Sequence, residues 1–149
     1  DFQNKAFLTG RSRRAADMDA EAASNIQASD DDEDKNQALR SIQNAYSQLL
    51  VELSESVRTG NGTTASNELI SGDTNIIINL SLPSNYPLAL KDALTNSIHD
   101  YIINKALMDW YMITNKEDAK DYADLSAVAL QNIHNAFNRR ERPVRTEIE

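Results

Sequence analysis

Cysteine is absent from these 149 residues, which removes disulfide scaffolds, thiolate zinc sites and thiol catalysis. Glycine and proline are scarce, 4 and 3 residues, against roughly 12% of an average protein for the two together. So few turn-formers exclude a sandwich or barrel of many short strands. Two histidines, His99 and His134, leave little for an imidazole metal site. The longest apolar run, Ile76–Ile78, is far below the ~20 residues of a membrane span. Bases are outnumbered 15 to 23, giving a net charge of −8 and arguing against a surface that grips nucleic acid all over. Apolar content of 40%, aromatics at 6% and a mean hydropathy of −0.56 describe a modest core. Such a chain either has long solvated helices or has segments that order against neighbours. Missing cysteine agrees with a reducing compartment, no targeting signal is visible, and a first residue other than Met points to processing or trimming.

What is present is helical pattern. Residues 1–28 read as an N-terminal arm, anchored by Phe2 and Phe7, followed by the basic group Arg11, Arg13, Arg14 and then an Ala-rich stretch able to form a helix. Ser29 precedes Asp30, Asp31, Asp32, Glu33 and Asp34, an N-cap before a carboxylate-dense first turn. Leu39, Ile42, Tyr46, Leu49, Leu50, Leu53 and Val57 then recur at helical spacing, predicting a helix over 30–58 that Gly60-Asn61-Gly62 stops. Ile76, Ile78, Leu80 and Leu82 alternate with Ile77, Asn79 and Ser81, predicting a strand at 75–82 paired with a short one near 67–70. A lone hairpin is marginal in water, so this insertion at about 63–82 has to pack on helices or pair with another chain. Pro87 opens a helix over 87–114 whose apolar arc, Met112 and Ile113 included, covers most of its circumference and makes it central. Thr114-Asn115-Lys116-Glu117 reads as a capping box for a further helix at 115–138. Pro143 forbids continuation, leaving 141–149 as an extended tail beyond a 29–140 body. The fold class is mainly α: a three-helix antiparallel bundle, a β strand or hairpin between the first and second long helices, and extended arms at both ends.

Chemistry-bearing patterns are weak. Asp30, Asp32 and Asp34 mimic the start of a calcium loop, but Lys35 and Ser41 stand where glycine and glutamate are needed. The charged helix start is the better account. Neither histidine has a carboxylate partner defined by the sequence, no G-x-S-x-G elbow occurs, and Gly60–Thr64 lacks the lysine of a phosphate loop. No catalytic, metal or cofactor site is expected. Arg139, Arg140, Arg142 and Arg145, with Pro143 and Val144 among them, form a basic tail. Its arginines either cap a helix C-terminus or dock onto carboxylates or phosphates of a partner, as do Arg11, Arg13 and Arg14.

The run Leu82-Pro83-Ser84-Asn85-Tyr86-Pro87, the stretch from Ile98-His99-Asp100-Tyr101-Ile102 through Trp110-Tyr111, Asn115-Lys116, and Arg139 through Arg145 together resemble head-to-tail connector (adaptor) proteins of tailed phages. The likeness covers about 30–149 and rests on the order of elements; the first 28 residues match no family. It implies a ring, usually of twelve copies, bound beneath the capsid portal in the virion neck, extending the DNA channel and offering a surface to neck or tail proteins. It implies partner docking through the arms, passing contact with double-stranded DNA, no membrane and no enzymatic activity. Ile76, Ile78, Leu80 and Leu82 would pair between subunits, and Asp30 to Asp34 would supply an acidic surface that does not hold phosphates. The other reading is a non-enzymatic helical bundle that binds or regulates a partner as monomer or dimer.

Overall fold

A computed structural model describes residues 1–15, 32–57, 63–65 and 75–144. Expectations for the Ala-rich stretch, Asp30, Asp31, the strand near 67–70 and Arg145 lie outside the described residues. Four α-helices account for most of what is described: α1 (Phe2–Ala15), α2 (Asp32–Glu52), α3 (Lys91–Thr114) and α4 (Lys116–Phe137). They pack side by side, as in a bundle, around one apolar core, with no sheet among the described residues.

The expected extended N-terminal arm is a helix. Phe2 and Ala6, one turn apart, are both buried, and the Phe2 ring meets Trp110 edge-on at 6.0 Å. The Thr9 hydroxyl donates back to the Lys5 carbonyl and lies 3.0 Å from the Tyr122 hydroxyl. Among the described side chains of α1, Phe2 and Ala6 supply the buried contacts that dock it.

Carboxylates at Asp32, Glu33 and Asp34 occupy the first turn of α2, where the helix dipole favours them. Its buried stripe is Ala38, Ser41, Ala45, Tyr46 and Leu49. The helix ends at Glu52, six residues before the expected 58. Beyond it the chain tightens, with the Ser54 N–H donating to the Val51 carbonyl and the Ser56 N–H to the Leu53 carbonyl. Val57 thereby leaves the helix and forms a single antiparallel bridge with Leu80.

Among the described residues that bridge is the strand pairing present, and it joins Leu80 to the end of α2 rather than to the expected strand near 67–70, which lies outside them. Residues 75–79 are extended without a ladder, held by the Thr63 and Thr64 side chains, which act as substitute partners: the Ile77 and Asn79 N–H groups donate to their hydroxyls. The period-two reading does identify the faces. Ile76, Ile78, Leu80 and Leu82 pack on the core, whereas Ile77 is 52% exposed.

A 3-10 turn over Leu88–Leu90 follows Pro87 and leads into α3. Burial of Leu94, Tyr101, Ile103, Ala106, Leu107 and Trp110 covers several sides of α3, which packs against α1, α2 and α4. Its last turn breaks the pattern: Met112 and Ile113, expected in the apolar arc, are 54% and 70% exposed. One extended residue, Asn115, separates α3 from α4. The capping frame is shifted by one from the expected box. The Asn115 side chain accepts from the Glu117 N–H at 3.2 Å and donates to Asp118 at 2.8 Å, while the Thr114 hydroxyl donates to the Trp110 carbonyl instead. Folding back after Asn115 stacks Tyr122 on Tyr111 with ring centroids 5.1 Å apart.

Candidate functional site

A concavity of about 1050 Å³ lies where α2, the extended segment and α3 fail to close on one another. Leu39 and Ile42 form one wall, Ile76, Ile78, Leu80 and Leu82 a second, and Ile98 and Ile102 a third. Asp1, Asn75, Asn79, Lys91, Thr95 and His99 supply its polar groups. His99 Nε2 is 3.3 Å from the Asp1 carboxylate, and both side chains are more than half exposed. Sequence spacing misses this pair, because Asp1 reaches His99 only through the docking of α1. His134 faces Glu52 at 3.9 Å, so each histidine has its own carboxylate. Asp100 lies 4.0 Å from the other ring nitrogen of His99, and the side chains of both histidine–carboxylate pairs are largely open to solvent.

A smaller hollow of about 460 Å³ lies among α2, α3 and α4, lined by Val51, Tyr101, Met108 and the small residues Ala123, Ser126 and Ala127. Burial, aided by the Glu52 and Asp109 carboxylates, raises the Tyr101 phenol above its ordinary range. Burial pushes Tyr111 much further up. Both therefore stay protonated near neutral pH and offer no base. Among the described residues no group of three or more His, Asp or Glu side chains converges as a metal site requires.

The basic tail divides between the two roles open to it. Arg140 donates to the Phe137 carbonyl at 2.9 Å and to the Arg139 carbonyl at 2.8 Å, which is helix capping. Arg139, Arg142, Pro143 and Val144 are exposed, and the Glu141 N–H donates to the Asn85 carbonyl at 2.8 Å. The tail thus leaves the body beside the turn that precedes α3. At the other end, Phe2 is core, Phe7 is 49% exposed and Arg11 is exposed; the side chains of Arg13 and Arg14 lie outside what is described. The candidate docking residues are therefore not gathered into one patch. Asp32 and Glu33 are exposed and Asp34 half-buried.

Further apolar side chains stand in water: Leu8 on α1, Met112 and Ile113 on α3, and Leu125 and Val128 on α4. Leu125 and Val128 are three residues apart and share a face, a signal available to a helical-wheel reading of the sequence.

No protein family, curated protein or solved structure matches this chain. Its function has to be argued from the surfaces themselves. Among the described residues no helix is long and apolar enough to cross a membrane.

Proposed function

We propose that this chain is a structural, non-enzymatic subunit of a phage head-to-tail connector ring, joining copies of itself, a portal above and neck or tail components below. The reading comes from the resemblance across 30–149. The observation that carries it furthest is the apolar surface left uncovered on four helices, at Phe7, Leu8, Val51, Met112, Ile113, Leu125 and Val128. Exposed apolar side chains on several sides favour a protein that meets more than one neighbour. In this reading α2, α3 and α4 form the antiparallel three-helix core of each subunit, the exposed arginines of the tail dock onto a partner, and the acidic start of α2 faces a channel through which DNA passes without sticking.

A bundle that binds one partner as monomer or dimer is the competing reading, favoured by the 1050 Å³ apolar groove. Mass measurement and negative-stain images of the full chain, alone and with a portal protein, separate the two. Rings, or assembly that requires the portal, are expected. A small compact particle under both conditions would reject the connector.

A further inference from the structure

Along an extended chain the backbone groups of successive residues point to opposite edges. In residues 75–82 the odd-numbered groups are used inside the molecule. Ile77 exchanges bonds with Thr64, its carbonyl accepting from the Thr64 N–H at 2.9 Å; Asn79 donates to the Thr63 hydroxyl at 3.1 Å; Ser81 donates to the Ser56 carbonyl at 2.8 Å. The even-numbered groups, of Ile76, Ile78, Leu80 and Leu82, therefore face the other edge, and they carry no hydrogen bond among the described residues. Their side chains are half-buried along the wall of the large groove. No charge and no proline occurs from 75 to 82, so the edge lacks the devices that normally blunt one.

The tail has the matching chemistry. It is tethered where Glu141 meets Asn85, and then projects outward, with Val144 90% exposed. From there Val144, Thr146 and Ile148 alternate with Arg145, Glu147 and Glu149, placing β-branched residues at every second position. We propose that residues 144–149 of one copy add as a strand to the open Ile76–Leu82 edge of a neighbouring copy. The proposal deepens the connector reading and rests on its requirement for self-association.

Antiparallel addition with Val144 opposite Leu82, Thr146 opposite Leu80 and Ile148 opposite Ile78 satisfies the free donors and acceptors as hydrogen-bonded pairs. The same placement puts the three β-branched side chains on the groove side. Arg145, Glu147 and Glu149 fall on the outer face, beside Ser81, Asn79 and Ile77. Pro143 and Pro83 lie between the tether and the edge of the same chain, and Val144 stays in water although Leu82 is three residues from Asn85. Val144 thus does not pair with Leu82 of its own chain, which favours the neighbour's edge. Tail and edge are different surfaces, and repeated head-to-tail use of two different surfaces gives a ring where the rotation between copies closes.

A labelled peptide spanning 141–149, titrated onto the full chain, tests this. The unmodified peptide should bind saturably and slow amide exchange at Ile76, Ile78, Leu80 and Leu82. Thr146→Pro in the peptide, which deletes an edge-facing N–H, should weaken binding by about tenfold or more. Glu147→Pro, whose N–H faces outward, should stay within about twofold. Absence of binding, equal losses from the two prolines, or protection elsewhere overturns the proposal. So does binding confined to a chain that itself carries Thr146→Pro, since the tail would then cover its own edge. Rings formed without peptide binding sink strand addition and leave the connector standing; binding by a chain that never enters a ring does the reverse.

Discussion

At the scale of single residues, two buried tyrosines of similar appearance have opposite standing. The Tyr46 hydroxyl donates to the Thr64 carbonyl at 2.6 Å and ties α2 to the segment beyond it. The Tyr86 hydroxyl is buried with no partner. Tyr46→Phe should therefore cost about 1 kcal/mol in denaturant unfolding, whereas Tyr86→Phe should be neutral or stabilising, because it removes a group left unsatisfied by folding. Equal losses would show that the Tyr86 hydroxyl is bonded after all. Asp109 on α3 gives a pH-dependent counterpart. Burial raises its carboxyl above the ordinary range, and the nearby Lys105 ammonium only partly opposes this. A raised acid pKa means that the folded state holds the proton more tightly than the unfolded one. The cost of ionisation then develops as pH rises from the ordinary carboxylate value towards the folded one, and is complete above it. Asp109→Asn should match the wild type in acid and melt higher at neutral pH. A difference of the same size at both pH values would remove burial as the cause.

At the scale of elements, α1 offers the sharpest test, because its attachment depends on few side chains. Truncating Phe2 to Ala removes a ring packed on Trp110 and should cost about 3 kcal/mol of local docking energy. Trp110 is the single tryptophan, so its emission should shift to the red while residues 2–15 lose amide protection. An unchanged spectrum would mean that α1 is held by something other than this ring. The same element explains where sequence reading succeeds and fails. A long stripe such as Leu39 to Leu53 locates α2 although not its end, since each turn repeats the signal. In α1 the buried positions among the described side chains are Phe2 and Ala6, a single turn of repeat. The insertion is intermediate: alternation identifies which side chains of 76–82 face inward, but a ladder depends on a partner, and a local pattern contains none. Thr114 and Asn115 are both competent caps, so choosing between them needs the backbone, where Asn115 alone is extended. The groove and the Asp1–His99 contact were not legible at all, as both exist only after distant elements dock.

At the scale of the whole molecule, charge is distributed by position along the chain. Acidic side chains crowd the start of α2 and arginines crowd the exit from α4. If the connector reading holds, reversing Asp32 and Asp34 to Lys should slow genome ejection from assembled particles, because lysines in a channel wall retain phosphates. The local cost to α2 is about 0.3–1 kcal/mol per reversed charge, small enough to leave the helix intact. Ejection at the normal rate would take the acidic turn out of the channel wall. Exposed apolar positions are likewise spread over all four helices rather than concentrated on one, so no single substitution among them should abolish assembly.

The lone residue between the two longest helices has a mechanical consequence. With α3 and α4 running 24 and 22 residues and Asn115 alone between them, the junction has no slack. Its side chain is bonded to both Glu117 and Asp118, so it is poorly placed to act as a hinge. The pair should respond to load as one strut, roughly 36 Å long at 1.5 Å per residue. Strain imposed by a neighbour would then be absorbed elsewhere, as in residues 53–57 and 75–87, where regular hydrogen bonding is thin.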